Sequence, residues 1–208
     1  MDQLTPFLPL ALLLADVLAW CCLPRGFIVS EIYLDVETQR LSSEVSGGWN
    51  NIRDFGLSVA VTWNDSAGFR EWYESDAARL IEELGTFDRL VTFNGVRFDI
   101  EVLAAYGNVR LLRDKSLDIL KDLERRLGFR AKLQDVARAT LGKDKTGSGP
   151  DAVTWWRSGD PLLRRRVVDY CRMDVELLRD IVAHGRREGF VKVPSRGKDQ
   201  TVYVAWGA

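Results

Sequence analysis

Two acidic residues lie within an apolar segment that runs from Ile32 to Thr38. Asp35 and Glu37 flank Val36 in that segment, and because alternate residues of a strand face the same way, a strand here would project both carboxylates together. Neighbouring carboxylates repel, and burying them is costly unless a cation lies between them. Hard divalent cations such as Mg²⁺ or Mn²⁺ are the natural partners of carboxylate oxygens. Taken alone, the pair is more typical of a solvated strand end, so the acids elsewhere in the chain must decide.

A third acidic residue follows a short apolar run that is closed by Asn94 and Gly95. Asp99 comes directly after Phe98, just beyond the carboxyl end of a strand predicted over residues 89–95. In open sheets with parallel central strands, ligands gather at this edge. The alternative is a carboxylate at a helix terminus that interacts with the positive end of the helix dipole, and for Asp99 taken alone this alternative is favoured.

A tyrosine and an acid are four residues apart in a long helical pattern near the end of the chain. Tyr170 and Asp174 would therefore share one helix face, which presents a phenol and a carboxylate together. The ordinary alternative is a tyrosine packed on the core with the acid at the surface. Such pairs are common, so this motif also depends on the others for its meaning.

Hydrophobic periodicity predicts an α/β fold, with a mixed sheet of about five strands flanked by helices. An antiparallel meander opens the sheet, and a strand, helix, strand succession then predicts a right-handed crossover that lays the fourth strand parallel to the first. The predicted strands cover residues 27–36, 54–63, 69–73, 89–95 and 115–118. The predicted helices cover 76–84, with Ser75 as N-cap, and 98–106, 119–127, 132–141, 151–157 and 161–184, before a closing hairpin of 190–194 and 201–206.

Composition places the chain among ordinary globular proteins. It has 208 residues, 46% hydrophobic and 28% charged, which is enough for one domain with a sizeable core. The formal net charge of −1 excludes binding of polyanions through the overall field, so contacts with nucleic acid must come from local basic patches. The three cysteines include no zinc-binding spacing, which favours a reducing compartment and a cytoplasmic location.

The first 26 residues form an apolar extension that differs from the rest of the chain. An apolar run from Pro6 to Leu23 is nearly long enough to span a bilayer, but Asp16 lies within it and no basic residue precedes it. We favour a helical appendage, or an extension upstream of the real start, over a membrane anchor. Membrane association through this segment stays open.

Together, the three motifs resemble those of 3′–5′ exonucleases of the ribonuclease H-like superfamily. The motifs are Asp-Val-Glu-Thr at 35–38, Phe-Asn-Gly-Val-Arg-Phe-Asp at 93–99 and Tyr-Cys-Arg-Met-Asp at 170–174. They are most similar to the subclass with four acids and a tyrosine, which includes the proofreading domains of family B DNA polymerases and the stand-alone YprB-type exonuclease domains. The likeness runs from about Ile32 to Gly185, and it implies one exonuclease domain over residues 27–208.

The resemblance implies a role for each matched residue. Phosphodiester hydrolysis would use two divalent cations, Mg²⁺ or Mn²⁺, and no organic cofactor. Asp35 would bridge both ions, Glu37 and Asp174 would complete the first site, Asp99 would hold the second, and Tyr170 would orient the attacking water. Three further residues would contact the substrate: Thr38 beside the terminal nucleotide, and Asn94 and Phe98 in the groove for single-stranded bases.

The expected substrate is single-stranded nucleic acid with a free 3′ end. DNA is favoured over RNA, but no motif in the sequence reports contacts to the 2′ position, so the choice stays open. A separate polymerase, helicase or repair protein is the expected kind of partner. Two other functions stay open at this stage: a structure-selective endonuclease of the ribonuclease H or resolvase type, and an inactive domain that binds nucleic acid.

Two other charged features have simpler interpretations. We expect Asp118 to be a helix N-cap or to support a metal ligand indirectly, rather than to be a ligand itself. The adjacent Arg186 and Arg187 are expected on a solvated helix face.

Overall fold

A computed structural model describes residues 29–144, 149–195 and 197–207. The predicted apolar extension over residues 1–26 therefore lies outside the described residues. Among the helices within those ranges, none combines the length and apolar character needed to cross a bilayer.

The structure has an α/β architecture. The strands are β1 Glu31–Thr38, β2 Leu57–Asn64, β3 Gly68–Tyr73, β4 Arg89–Thr92, β5 Ser116–Asp118, β6 Phe190–Ser195 and β7 Lys198–Tyr203. The α-helices are α1 Ala77–Thr86, α2 Asp99–Leu103, α3 Arg110–Asp114, α4 Ile119–Leu127, α5 Leu133–Leu141, α6 Gly149–Arg157 and α7 Pro161–Glu188.

Five strands form one mixed sheet, in the order β3-β2-β1-β4-β5. The pairs β1–β2 and β2–β3 are antiparallel, whereas β1–β4 and β4–β5 are parallel. The connection through α1 thus lays β4 parallel to β1, as predicted. The predicted fold class, a meander followed by parallel strands and flanking helices, is confirmed. A separate hairpin, β6–β7, follows α7.

The sheet separates two hydrophobic layers, and the alternation of β1 decides which side chains enter each. Ile32, Leu34 and Val36 pack with buried residues of α1, α2 and α3. Tyr33 instead belongs to the layer built from α4 to α7 and the hairpin. Because side chains alternate along a strand, Asp35 and Glu37 share the face of Tyr33 and point toward α7. The acid pair is therefore aimed at the helix that carries Tyr170 and Asp174.

The long helix α7 is anchored at both ends. The Asp160 side chain accepts a hydrogen bond from the Leu162 amide at the N-terminus, a favourable N-cap. Near the other end, Arg186 forms an ion pair with Glu31 on β1 and donates to the carbonyl of Trp206. The expectation that Arg186 lies on a solvated face is therefore wrong. Its partner is 155 residues away in the chain, which sequence spacing does not reveal.

Several predicted boundaries differ from the structure for local reasons. Strand β1 begins at Glu31 and β2 at Leu57, because a 3₁₀ turn over Ile52–Phe55 precedes β2. The prediction of Ser75 as N-cap of the first helix is wrong. A 3₁₀ turn over Glu74–Asp76 leads into α1, whose N-cap position makes no side-chain hydrogen bond.

The packing of α7 against the C-terminal segment predicts that Gly185 does not tolerate a side chain. A Cβ at Gly185 would lie 2.7 Å from the Trp206 ring and 3.1 Å from Val204, distances that force the ring or the helix to move. Because overpacking a well-filled core costs about 1–3 kcal/mol, we expect Gly185→Ala to lower the free energy of unfolding by that amount in urea titrations.

Gly85 in α1 is the matched control. In the part of the chain that the structure describes, no atom lies within 4 Å of a Cβ at Gly85, and alanine has a higher helix propensity than glycine. Gly85→Ala should therefore leave stability unchanged or raise it. Equal effects of the two substitutions would show that the contact with Trp206 does not constrain the helix.

Candidate active site

Three carboxylates from distant parts of the chain meet at the carboxyl end of β1. Oxygen atoms of Asp35, Glu37 and Asp174 lie within 4.8 Å of one another. Glu37 and Asp174 are 9% and 7% exposed, so most of their surface is removed from water. Asp35 and Glu37 project from one face of β1, and Asp174 projects from α7. The two-residue spacing on the strand is the periodicity that predicted the shared direction of the first two acids.

The strand changes register where the acid pair ends. Glu37 is opposite Val59, but Thr38 is opposite Leu57, so Ser58 is an extra residue in β2. Bulges of this kind bend a strand and re-aim its side chains, and they are common beside active sites. Here the bulge lies directly beside Glu37 and Thr38.

Tyr170 and Cys171 bring α7 close to β1. Tyr170 is buried, one turn before Asp174, so the predicted face of α7 is the one that meets the acids. The Cys171 thiol donates a hydrogen bond to the carbonyl of Asp35, with an Sγ to O distance of 3.3 Å. Burial, together with the negative charges of nearby Asp35 and Glu37, raises the pKa of the Cys171 thiol, which keeps the group neutral and able to donate.

Asp99 is the first residue of α2 and is almost fully buried. Desolvation raises the pKa of its carboxyl to about 8, and the charges of Asp118 and Asp174 add to the rise, although backbone hydrogen bonds from Asp99 itself and Val36 oppose it. Asp99 thus lies close enough to Asp174 to sense its charge, but it is outside the group of three oxygens. The structure brings three of the four predicted acids together and places the fourth nearby.

Asp118 supports the turn that precedes Asp99, and its expected role as a helix N-cap is confirmed. Its carboxylate accepts the amide of Lys121 at the start of α4, and also the amides of Asn94 and Val96, at 2.9 to 3.2 Å. Asn94 has a φ of 73°, an uncommon conformation for a residue other than glycine. The buried carboxylate offsets that cost by satisfying the amides of the turn.

Gly95 lets the same turn fold back on β4. A Cβ at Gly95 would lie 2.4 Å from side-chain atoms of Thr92, so any larger residue would push the turn away from the strand. Glycine is therefore required by close packing at this point, in the turn that leads into α2, where Asp99 lies.

The predicted substrate residues line two neighbouring cavities, and the smaller one includes Glu37 of the acidic cluster. Thr38 and Glu37 border a cavity of about 170 Å³. Asn94 borders a wider cavity of about 650 Å³, and Phe98 borders both. The sequence reasoning missed Trp49, which also lines both cavities. A tryptophan within the polar loop between the first two strands was the available signal.

The donor set fits a hard divalent cation. All three clustered ligand atoms are carboxylate oxygens, which suit Mg²⁺ or Mn²⁺. The nearby Cys171 is held as a neutral thiol by burial, so it adds no soft ligand for zinc or copper.

The raised pKa of Asp99 predicts a pH-dependent stability in the absence of metal. The folded state keeps a proton up to about pH 8, whereas the unfolded chain releases it near the ordinary aspartate value of about 3.9. Stability from this group is therefore present at low pH and is lost as the pH rises through that window. We expect Asp99→Asn to remove this loss, so that the variant gains about 1–3 kcal/mol over the natural chain between about pH 5 and about pH 8.

Urea unfolding in EDTA at the two pH values is the direct measurement. EDTA matters because a bound cation would favour the carboxylate and mask the effect. Parallel pH profiles for the natural chain and Asp99→Asn would mean that Asp99 is ionised in the folded protein throughout this range.

Comparisons with known proteins bear on the fold. A family model described as the RNase H superfamily matches residues 32–185, and no curated protein matches the chain. The family B DNA polymerase of the hyperthermophilic archaeon Pyrobaculum calidifontis is 12% identical, with a TM-score of 0.55 over 76% of this chain and 24% of the polymerase chain. A structure described as the apo form of a nuclease is 20% identical, with a TM-score of 0.47 over 76% of this chain and 74% of its own.

The polymerase is similar in fold, and the present chain spans about a quarter of its length. The family model is more informative, since it extends from the first residues of β1 into the last turn of α7 and so includes every residue of the acidic cluster. The match spans most of the chain, which therefore belongs to the RNase H superfamily.

Proposed function

We propose that this protein is a metal-dependent 3′–5′ exonuclease that hydrolyses phosphodiester bonds of single-stranded nucleic acid, with DNA preferred over RNA. The observation that carries the proposal is the group of three carboxylates, from Asp35, Glu37 and Asp174, within 4.8 Å of one another. Such a group is costly without a cation, and it lies in a member of the RNase H superfamily.

The cluster is assigned to two divalent cations, Mg²⁺ or Mn²⁺. Asp35 would contribute to both sites, Glu37 and Asp174 to the first, and Asp99 to the second. When bound, such a pair of cations supplies charge stabilisation for the attacking and leaving oxygens of an in-line displacement. Burial raises the pKa of Asp99 when no cation is bound, and a neighbouring cation would favour the ionised form that can act as a ligand.

Tyr170 is assigned to the positioning of the attacking water. Its hydroxyl can both donate and accept a hydrogen bond, and it shares a face of α7 with Asp174. Tyr170 is buried in the hydrophobic layer built from α4 to α7 and the hairpin, and this burial limits the rotamers of its ring. Because a general base is unnecessary where a cation lowers the pKa of water, orientation is the role that we assign to the phenol.

Exonuclease action is favoured over the endonuclease alternative by the third motif. Tyr170 and Asp174 fill the tyrosine and acid positions of the 3′–5′ exonucleases that the three motifs resemble. The shared fold with part of a DNA polymerase supports DNA as the preferred substrate. A polymerase, helicase or repair protein that supplies frayed 3′ ends is the expected partner.

The polarity and end requirement of the proposed reaction can be tested with labelled strands. With Mn²⁺ present, a 5′-labelled linear single strand should give a ladder that shortens from its 3′ end, and a circular single strand should resist cleavage. Cleavage of the circle would support the endonuclease alternative. No hydrolysis of DNA or RNA with either Mg²⁺ or Mn²⁺ would leave a domain that only binds nucleic acid.

The role of Asp174 in that activity can be tested with a matched control substitution on the same helix, α7. Asp174→Asn keeps the side-chain shape but removes a charge, and we expect at least about a 100-fold loss of kcat. Asp169 lies on the exposed side of the same helix, where it pairs with Arg165, so Asp169→Asn should retain activity. Equal activity of the two variants would contradict the assigned role of Asp174.

A further inference from the structure

We propose that Trp49 and Arg130 form an outer subsite that holds the second nucleotide from the 3′ end of a single strand. Trp49 would stack on the base and Arg130 would contact the backbone phosphate. The inference rests on the proposed nuclease function. It names residues that would bind the part of the substrate next to the terminal nucleotide.

Trp49 and Phe98 line both of two neighbouring cavities, one of which reaches the acidic cluster. The smaller, of about 170 Å³, includes Glu37 and Thr38. The wider, of about 650 Å³, includes Asn94 and Arg130. The two residues on the shared wall belong to both linings, so a strand whose end reaches Glu37 would pass over this wall into the wider cavity. The wider volume is within the range of ordinary ligand sites.

Trp49 is unusually exposed for a large aromatic residue, at 65%. Its ring contacts the rings of Phe55 and Phe98, with centroid distances of 5.4 and 6.0 Å. These contacts hold one side of the indole against the protein while most of the residue remains in solvent. An aromatic surface that is fixed but exposed is suited to stacking, and nucleobases of any sequence can use it because each has a π face.

The loop that carries Trp49 is fastened to α6. Arg157 donates two hydrogen bonds to the carboxylate of Glu44, at 2.5 and 2.7 Å, and one to the carbonyl of Gln39 at 2.9 Å. This bidentate geometry is the stronger form of ion pair. The tryptophan is therefore presented from a defined position, which lowers the entropy cost of binding.

Charge in the wider cavity complements a phosphate backbone. Arg130 donates to the Oδ1 atom of Asn94 at 2.7 Å, and its side chain is 45% exposed. Among the ion pairs of the described residues, Arg130 and Arg97 share one acid, Glu124, at 3.7 and 3.0 Å. One carboxylate cannot neutralise two guanidinium groups. The edge of the wider cavity that is formed by Arg97 and Arg130, here called the basic rim, therefore keeps an excess of positive charge. Planar guanidinium groups are well matched to phosphate oxygens.

A second acid near the cavity does not cancel that excess. Glu101 lines the cavity, but it is already paired with Arg53 and Arg113. The aromatic wall and the basic rim together match a single-stranded nucleotide, with its flat base and anionic phosphate. A paired base could not expose its face to Trp49 without unstacking, so the subsite predicts a preference for single strands.

The subsite can be tested by binding in EDTA, where hydrolysis cannot interfere. A short single strand carries the fluorescent base 2-aminopurine as the second nucleotide from its 3′ end, and full-length protein is titrated against it. Stacking on Trp49 should quench the fluorescence. We expect Trp49→Ala to abolish the quenching and weaken binding about 5- to 100-fold, and we expect Trp49→Phe to restore most of both.

Two further variants separate the subsite from general effects. Tyr203 on the hairpin β6–β7 is an aromatic residue that is even more exposed, at 75%, so Tyr203→Ala should bind as the natural chain does. Arg130→Gln should weaken binding and reduce the slope of log affinity against log salt by about one, as expected for one lost phosphate contact.

The outcomes distinguish this proposal from the nuclease assignment. Loss of quenching in Trp49→Ala supports the subsite even if no hydrolysis is ever observed. Unchanged quenching and affinity in Trp49→Ala overturns the subsite, and it does so even if the natural chain is an active nuclease. Failure of the natural chain to bind the strand also overturns the subsite.

Discussion

Electrostatic repulsion among three carboxylates is the constraint on which this structure depends. Oxygen atoms of Asp35, Glu37 and Asp174 are held within 4.8 Å of one another, and two of these acids are more than nine-tenths buried. Like charges at such distances in a partly desolvated site favour protonation or a bound cation. The fold must therefore hold the acids in place against their own repulsion, and hydrophobic burial around β1 and α7 supplies the opposing free energy.

The contacts between β1 and α7 show how the acids are held. The Cys171 thiol binds the carbonyl of Asp35 beside the cluster, and the Arg186–Glu31 ion pair joins the same two elements at the opposite end of β1. Side-chain alternation in the strand and the four-residue repeat of the helix then direct the carboxylates to one point. Asp118 positions the fourth acid: its carboxylate accepts hydrogen bonds from two amides of the turn before α2, the helix that begins with Asp99.

The features of the candidate site that depend on short-range periodicity could be predicted from the sequence. The strand pair, the Tyr170–Asp174 spacing and the Asp118 cap are all encoded within four residues, and so were predictable. Trp49 was missed because its place beside Phe98 depends on a loop of irregular turns held by the distant Arg157. Arg186 was predicted to be solvated because its partner Glu31 is 155 residues away in the chain. A helical wheel of α7 alone cannot distinguish a paired arginine from an exposed one.

The central claim is that these carboxylates exist to bind a divalent cation. A crystal of the protein grown with Mn²⁺, with diffraction data recorded at the manganese absorption edge, tests this most directly. The account predicts anomalous difference density between the side chains of Asp35, Glu37 and Asp174. Clear density for all three side chains without an anomalous peak among them, at a Mn²⁺ concentration that supports hydrolysis, would contradict it.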